Sequence, residues 1–117
     1  LGAILQRHGV NLVLSSEGNS YERSRALLGG LDHPIPGPLT NRVVTSRDGI
    51  VFVRAGSGGR SAFGTWLSET LPDWSARRDN SRAVYLGVVA NGESLGVVAY
   101  GLDVNGRRNA IDSVEIR

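Results

Sequence analysis

Three apolar runs crowd the C-terminal third of the chain: AVYLGVVA (83–90), LGVVAYGLDV (95–104) and AIDSVEI (110–116). They are rich in β-branched residues and separated by Asn91-Gly92 and Asn105-Gly106. Asn-Gly suits a two-residue type I′ turn, which needs positive φ at both central positions. The spacing leaves no room for a helix between the runs, so a three-stranded antiparallel meander is expected.

Upstream the pattern is more mixed. Leu1, Ile4, Leu5 and His8 share one helical face, with Gly9 at a C-cap position. VNLVLSS (10–16) reads as a strand. Asn19 followed by Glu22 resembles a capping box opening a helix to Leu28, which Gly29 and Gly30 end. LDHPIPGP (31–38) is a loop by its prolines. NRVVTS and GIVFVRA flank Arg47-Asp48-Gly49, a hairpin signal. A glycine cluster follows (Gly56, Gly58, Gly59), then a helix from about Ser61 to Leu71 stopped by Pro72. The expected fold is α+β: an antiparallel or mixed sheet of about five or six strands, two or three short helices, and the C-terminal meander. At 117 residues the chain fits one domain, residues 1–117. Because it begins with Leu1 rather than Met, it is expected to be one module of a larger protein carrying further domains.

Composition removes several classes of function. With no cysteine there is no disulfide framework, thiolate nucleophile or Cys-based zinc site. No apolar run approaches the ~20 residues that span a bilayer, and a cytoplasmic location is expected. All thirteen basic side chains are arginine, against eleven acidic ones. Codon bias accounts for that, while the arginine fork also suits phosphates and base edges.

Motifs remove more. A Walker A loop would need glycine where Arg54 stands and lysine where Arg60 stands. The dinucleotide fingerprint begins at Gly56 and Gly58 but meets Ser61 at its third glycine. A nucleophile elbow would need glycine at Ala55. His8 belongs to an apolar face, and His33 sits in the proline loop. Asp103, Asp112 and Glu115 lie on neighbouring strands and form the one candidate metal-binding carboxylate set. No metal or other cofactor is expected.

The stretch GIVFVRAGSGGRSAFGTW (49–66) runs from strand through glycine loop to expected helix. That order points backbone N–H groups outward and aligns the helix dipole with an anion. Arg54 and Arg60 bracket the loop, and Gly58, Gly59 and Ser61 complete a phosphate-contact candidate. Trp66 is either core, with Phe63 and Leu67, or a stacking platform for a base. Trp74, in a polar segment, is expected to be partly exposed.

From Gly59 to Trp66, VYLGVV led by Tyr85, the Asn91-Gly92 turn and LGVVAYG ending at Gly101, the order of features resembles the N-terminal DNA-recognition domain of McrBC-type modification-dependent restriction enzymes. The likeness spans about residues 50–102. It implies binding of methylated or hydroxymethylated cytosine by base flipping, with Trp66 and Val89 as pocket walls. Two positions differ: Gly58 stands where that family has an aromatic, and Thr65 where it has proline. Tyr21, Phe63 or Tyr100 would have to supply the second ring. The segment 82–103 also looks like the closing hairpin of GAF-type ligand domains.

The leading expectation is thus a DNA-binding module without its own catalytic centre, with modified cytosine as candidate base. Phosphate would be held by Arg54, Gly58, Gly59, Arg60 and Ser61. A small-molecule-binding sensory domain and a metal-dependent hydrolase on Asp103, Asp112 or Glu115 are the alternatives. A fourth reading is a structural piece whose exposed meander edge pairs with a partner.

Overall fold

The structure, a computed structural model, describes residues 1–29, 35–37, 43–59 and 63–117. Its elements run α1 (Gly2–Arg7), β1 (Leu12–Ser15), β2 (Tyr21–Ser24), β3 (Leu27–Leu28), β4 (Ile35–Pro36), β5 (Val43–Val44), a 3-10 turn (Ser46–Asp48), β6 (Val51–Ala55), β7 (Ser75–Asp79), β8 (Ala83–Ala90), β9 (Leu95–Leu102) and β10 (Arg108–Ile116). Strands form one four-stranded sheet in the order β1-β6-β2-β7, another in the order β5-β10-β9-β8, and a β3-β4 pair. One buried cluster joins Tyr21, Val51 and Val53 of the first sheet to Val84, Val97, Ala99, Val114 and Ile116 of the second. The architecture is therefore β-sandwich-like, not α+β, and α1 is the one α-helix among the described residues.

The two expected internal helices fail for separable reasons. Residues 21–24 alternate between the faces of a strand buried on both sides. Tyr21 and Arg23 turn toward the second sheet, while Glu22 and Ser24 turn away. Each polar group finds a tertiary partner, which outweighs the weak local preference for a capped helix. Residues 63–70 carry no helix either. Carbonyls that an i→i+4 ladder would use are taken by side chains: Arg78 Nη2 donates to Ser68 and Glu69 O (both 2.8 Å), and Asn80 Nδ2 to Gly64 O (2.8 Å).

Arg47-Asp48-Gly49 makes a crossover rather than a hairpin. β5 pairs in parallel with β10, whereas β6 pairs with β1 and β2. Thr45 and Asp48 cap the 3-10 turn between them reciprocally. Gly49 then passes so close to Leu27 that a Cβ would lie 2.3 Å from its carbonyl, at φ 123°. Only glycine fits there.

The C-terminal meander is present as β8-β9-β10, antiparallel throughout. Its turns are not the expected ones. Residues 91–94 close through Asn91 N–H to Ser94 O (3.0 Å), and Asn91 Oδ1 accepts the Glu93 and Ser94 amides (both 2.9 Å). The second turn closes on Asp103, whose Oδ1 accepts the Asn105 and Arg107 amides (2.8 and 2.9 Å). Side-chain acceptors replace the positive-φ pair in longer loops. In β10 the register slips between Ala110 and Asp112. A one-residue slip exchanges the faces, and here it turns Asp112, Val114 and Ile116 into the sandwich.

Candidate functional site

The inner seam is closed and saturated. Arg23 donates to Asp112 through Nε (2.7 Å) and Nη2 (3.1 Å), and the Tyr21 hydroxyl donates to the same carboxylate at 2.6 Å. The Arg23 and Asp112 side chains are 5% and 9% exposed. Burial works against the Arg23 charge, but the bonds and charge of Asp112 outweigh it and hold its pKa above the ordinary value. Burial, the negative charge of Asp112 and the hydrogen bond to it push the Tyr21 hydroxyl far above a normal phenol. This trio ties the sheets together and offers no group to a ligand.

The outer face of the first sheet differs. Ser15, Arg54, Glu22 and Arg78 are in register across β1, β6, β2 and β7, so their side chains form one row on that face. Glu22 accepts from Arg54 Nη2 (3.2 Å) and from the Ser75 hydroxyl (2.9 Å). Ser24 Oγ accepts the Phe52 amide at 2.8 Å. Between these rows lies a cavity of about 160 Å³, walled by Val13, Phe52, Glu22, Ser24, Arg54 and Trp74. Trp74 is anchored by its carbonyl, which accepts the Arg25 amide at 2.8 Å. Arg54 Nε is buried and has no hydrogen-bond partner among the described residues. Beyond the cavity the Arg78 guanidinium lies 4.6 Å from the ring centre of Trp66, a cation–π contact.

Arg54 and Trp66 thus share a face, linked through Glu22 and Arg78. Val89 does not join them: it is 70% exposed on β8, in the other sheet. Trp66 sits in a half-buried loop under Arg78, not on a helix. Gly58 and Gly59 are exposed, and Arg60 and Ser61 lie outside the described residues, as does His33. Phe63 is half-buried, while Tyr100 stacks on Tyr85 (5.2 Å between ring centres) in the second sheet. The glycine stretch also has a packing duty. A Cβ on Gly56 would fall 1.9 Å from Gly18 O, and Ser57 Oγ accepts the Val84 amide at 3.1 Å.

The candidate carboxylate set does not converge. Asp103 closes a turn, Asp112 is turned inward onto Arg23, and Glu115 contacts Arg117 at 3.3 Å. Among the described residues no group of three or more His, Cys, Asp or Glu side chains could hold a metal ion. No described helix is long and apolar enough to cross a membrane. Sequence reasoning missed Glu22, Ser24 and Trp74 as one site. The available signal was strand alternation in 21–24, with Glu22 and Ser24 two residues apart.

No protein-family model matches the chain, and no curated protein matches it. Its fold is similar to part of a solved purple acid phosphatase, PPD1, from yellow lupin (Lupinus luteus) seeds. The TM-score is 0.80 at 18% identity, over 99% of this chain and 19% of that one. The chain therefore spans about a fifth of the structure it matches, and the likeness concerns the fold alone.

Proposed function

We propose that this sandwich is a non-catalytic recognition module whose outer first-sheet face binds a neutral, hydroxyl-bearing ligand of the saccharide class. The observation that carries this reading is the half-exposed Arg54 side chain lining a cavity beside Glu22, Ser24 and Trp74. Glu22 engages one guanidinium nitrogen, Nη2, so further N–H groups of the partly exposed Arg54 head are open to a ligand acceptor. Arg54 and Glu22 together offer a donor and an acceptor with little net charge. The carboxylate repels phosphates and the guanidinium repels cations, which favours hydroxyl groups. Trp74 supplies an apolar wall for a ring face. At about 160 Å³, below the roughly 300 Å³ of a drug-sized pocket, the cavity takes one ring or less.

Two earlier expectations meet the same test. A DNA module, for modified cytosine or otherwise, would use Arg54 for phosphate, and the Glu22 carboxylate beside it opposes an anion there by its charge. A hydrolase on Asp103, Asp112 or Glu115 would need carboxylates that converge. The likeness to part of a phosphatase makes a phosphoesterase one class of catalytic unit that such a module could accompany.

The test titrates the chain with a panel of neutral mono- and oligosaccharides, and with plain and cytosine-modified duplex DNA at two salt concentrations. Saccharide binding that ignores salt and falls at least tenfold in Arg54→Ala and Trp74→Ala supports the proposal. Salt-dependent DNA binding with no saccharide binding overturns it in favour of the DNA reading.

A further inference from the structure

The edge of the second sheet is built for pairing. β8 is the terminal strand of the order β5-β10-β9-β8, and its eight residues include no charge and no proline. Natural edge strands usually carry charges, prolines or bulges that discourage pairing. Here Tyr85, Val88 and Val89 are 40%, 44% and 70% exposed.

Hydrogen-bond parity shows which backbone groups are available. The Val84 amide points away from β9, donating to Ser57 Oγ. The Asn91 amide turns the other way, to Ser94 O. In an antiparallel ladder alternate residues face alternate neighbours, so Leu86, Val88 and Ala90 present their N–H and C=O groups to the open edge. Among the described residues no backbone bond from another element reaches these three.

We infer that this edge pairs with the same edge of a second copy, antiparallel about Val88. In that register Leu86 meets Ala90 of the second copy, Val88 meets its equivalent, and Ala90 meets Leu86. Each pair exchanges both backbone bonds, and none calls on Val84, which Ser57 already holds. On the outer face Val89 then lies opposite Gly87 of the second copy, and the inner side sets Leu86 against Ala90. At these two positions a large side chain opposes a small one, and the central Val88 pair sets one β-branched side chain against another. Sliding the register by two residues one way sets Gly87 against Gly87 and presses Ala90 onto the occupied Val84, and sliding it the other way leaves Leu86 opposite Gly92, beyond the end of β8. The contact is isologous, so it closes as a dimer. The two second sheets become one continuous sheet. This inference is independent of the cavity on the first sheet.

Sedimentation equilibrium of the 117-residue chain over a wide concentration range tests it. The mass is expected to rise from 12.5 kDa toward twice that value. Val89→Lys puts a charge on the edge, and Val88→Pro removes an N–H that the monomer does not use. Both are expected to weaken association at least tenfold with far-UV circular dichroism unchanged, while Leu67→Lys, at a fully exposed loop site, leaves it intact. If the proline variant unfolds, Val89→Lys decides alone. A chain that stays at 12.5 kDa up to millimolar concentration, a dimer that survives the folded edge variants, or growth beyond a dimer overturns the inference. So does an edge that captures an unrelated extended peptide while the chain itself stays monomeric.

Discussion

β2 carries two arginine–carboxylate contacts on adjacent residues, one on each face, and the two behave differently. On the inner face, Arg23 meets Asp112 in a two-pronged contact at 2.7 and 3.1 Å, with side chains 5% and 9% exposed. On the outer face Glu22 meets Arg54 through one nitrogen at 3.2 Å, with the arginine side chain 37% and the glutamate side chain 10% exposed and with Arg54 Nε lacking a partner among the described residues. The inner pair is used up by the fold. The outer pair keeps spare hydrogen-bonding capacity beside a cavity, which distinguishes a structural ion pair from one that can serve a ligand.

Removing one inner partner is the most severe way to probe this contrast. Asp112→Ala leaves Arg23 buried without its counter-charge and is expected to cost about 3–5 kcal/mol, read by chemical denaturation. An effect below about 1 kcal/mol, the level of an exposed pair, would erase the distinction. Tyr21→Phe removes one hydrogen bond to a charged acceptor, and about 1.5–3 kcal/mol is expected at neutral pH.

The same tyrosine predicts a pH dependence. Its pKa is raised in the folded state, so above about pH 10 the unfolded chain loses a phenolic proton that the folded chain keeps. The unfolded state then binds fewer protons, and stability falls as pH rises. Below that pH the contribution is fully present. Tyr21→Phe should flatten this alkaline decline in thermal unfolding, and an unchanged slope would show that another group carries it.

On the outer face the order of effects reverses. Arg54→Ala is expected to cost less than Asp112→Ala, because solvent screens the partly exposed guanidinium and the Glu22 carboxylate it leaves behind keeps the Ser75 hydroxyl. Saccharide affinity should nevertheless fall at least tenfold. A large stability loss without a binding change would make the outer pair a second structural bridge. Trp66→Ala should matter least for the ligand, since Arg78 already covers that ring.

Legibility followed the range of the interactions. The meander strands were visible because valine and tyrosine runs need only neighbouring strands to be satisfied. The two internal helices were misread because the deciding partners are remote: Asp112 for Tyr21 and Arg23, and Arg78 for the carbonyls of Ser68 and Glu69. Asp103, Asp112 and Glu115 group in the sequence because they fall on neighbouring strands, but Asp112 and Glu115, three residues apart, face opposite sides of β10. The slip after Ala110 exchanged the faces. At the site, Arg54 was found from its place beside the glycine loop. Glu22 and Trp74, separated in sequence, meet it only through strand register and a loop anchored by Arg25.

The amino-acid order by itself determined the three C-terminal β-runs and the turns that separate them, and that thiol, Cys-based zinc and Walker A chemistries are unavailable. Those follow from local propensity and residue inventory. The tertiary structure alone decided that the chain is a sandwich, that Glu22 and Arg23 face opposite ways into different environments, and that the glycine stretch is packed at Gly56. Each depends on which distant backbone lies 4–5 Å away, a distance that no single stretch of sequence contains.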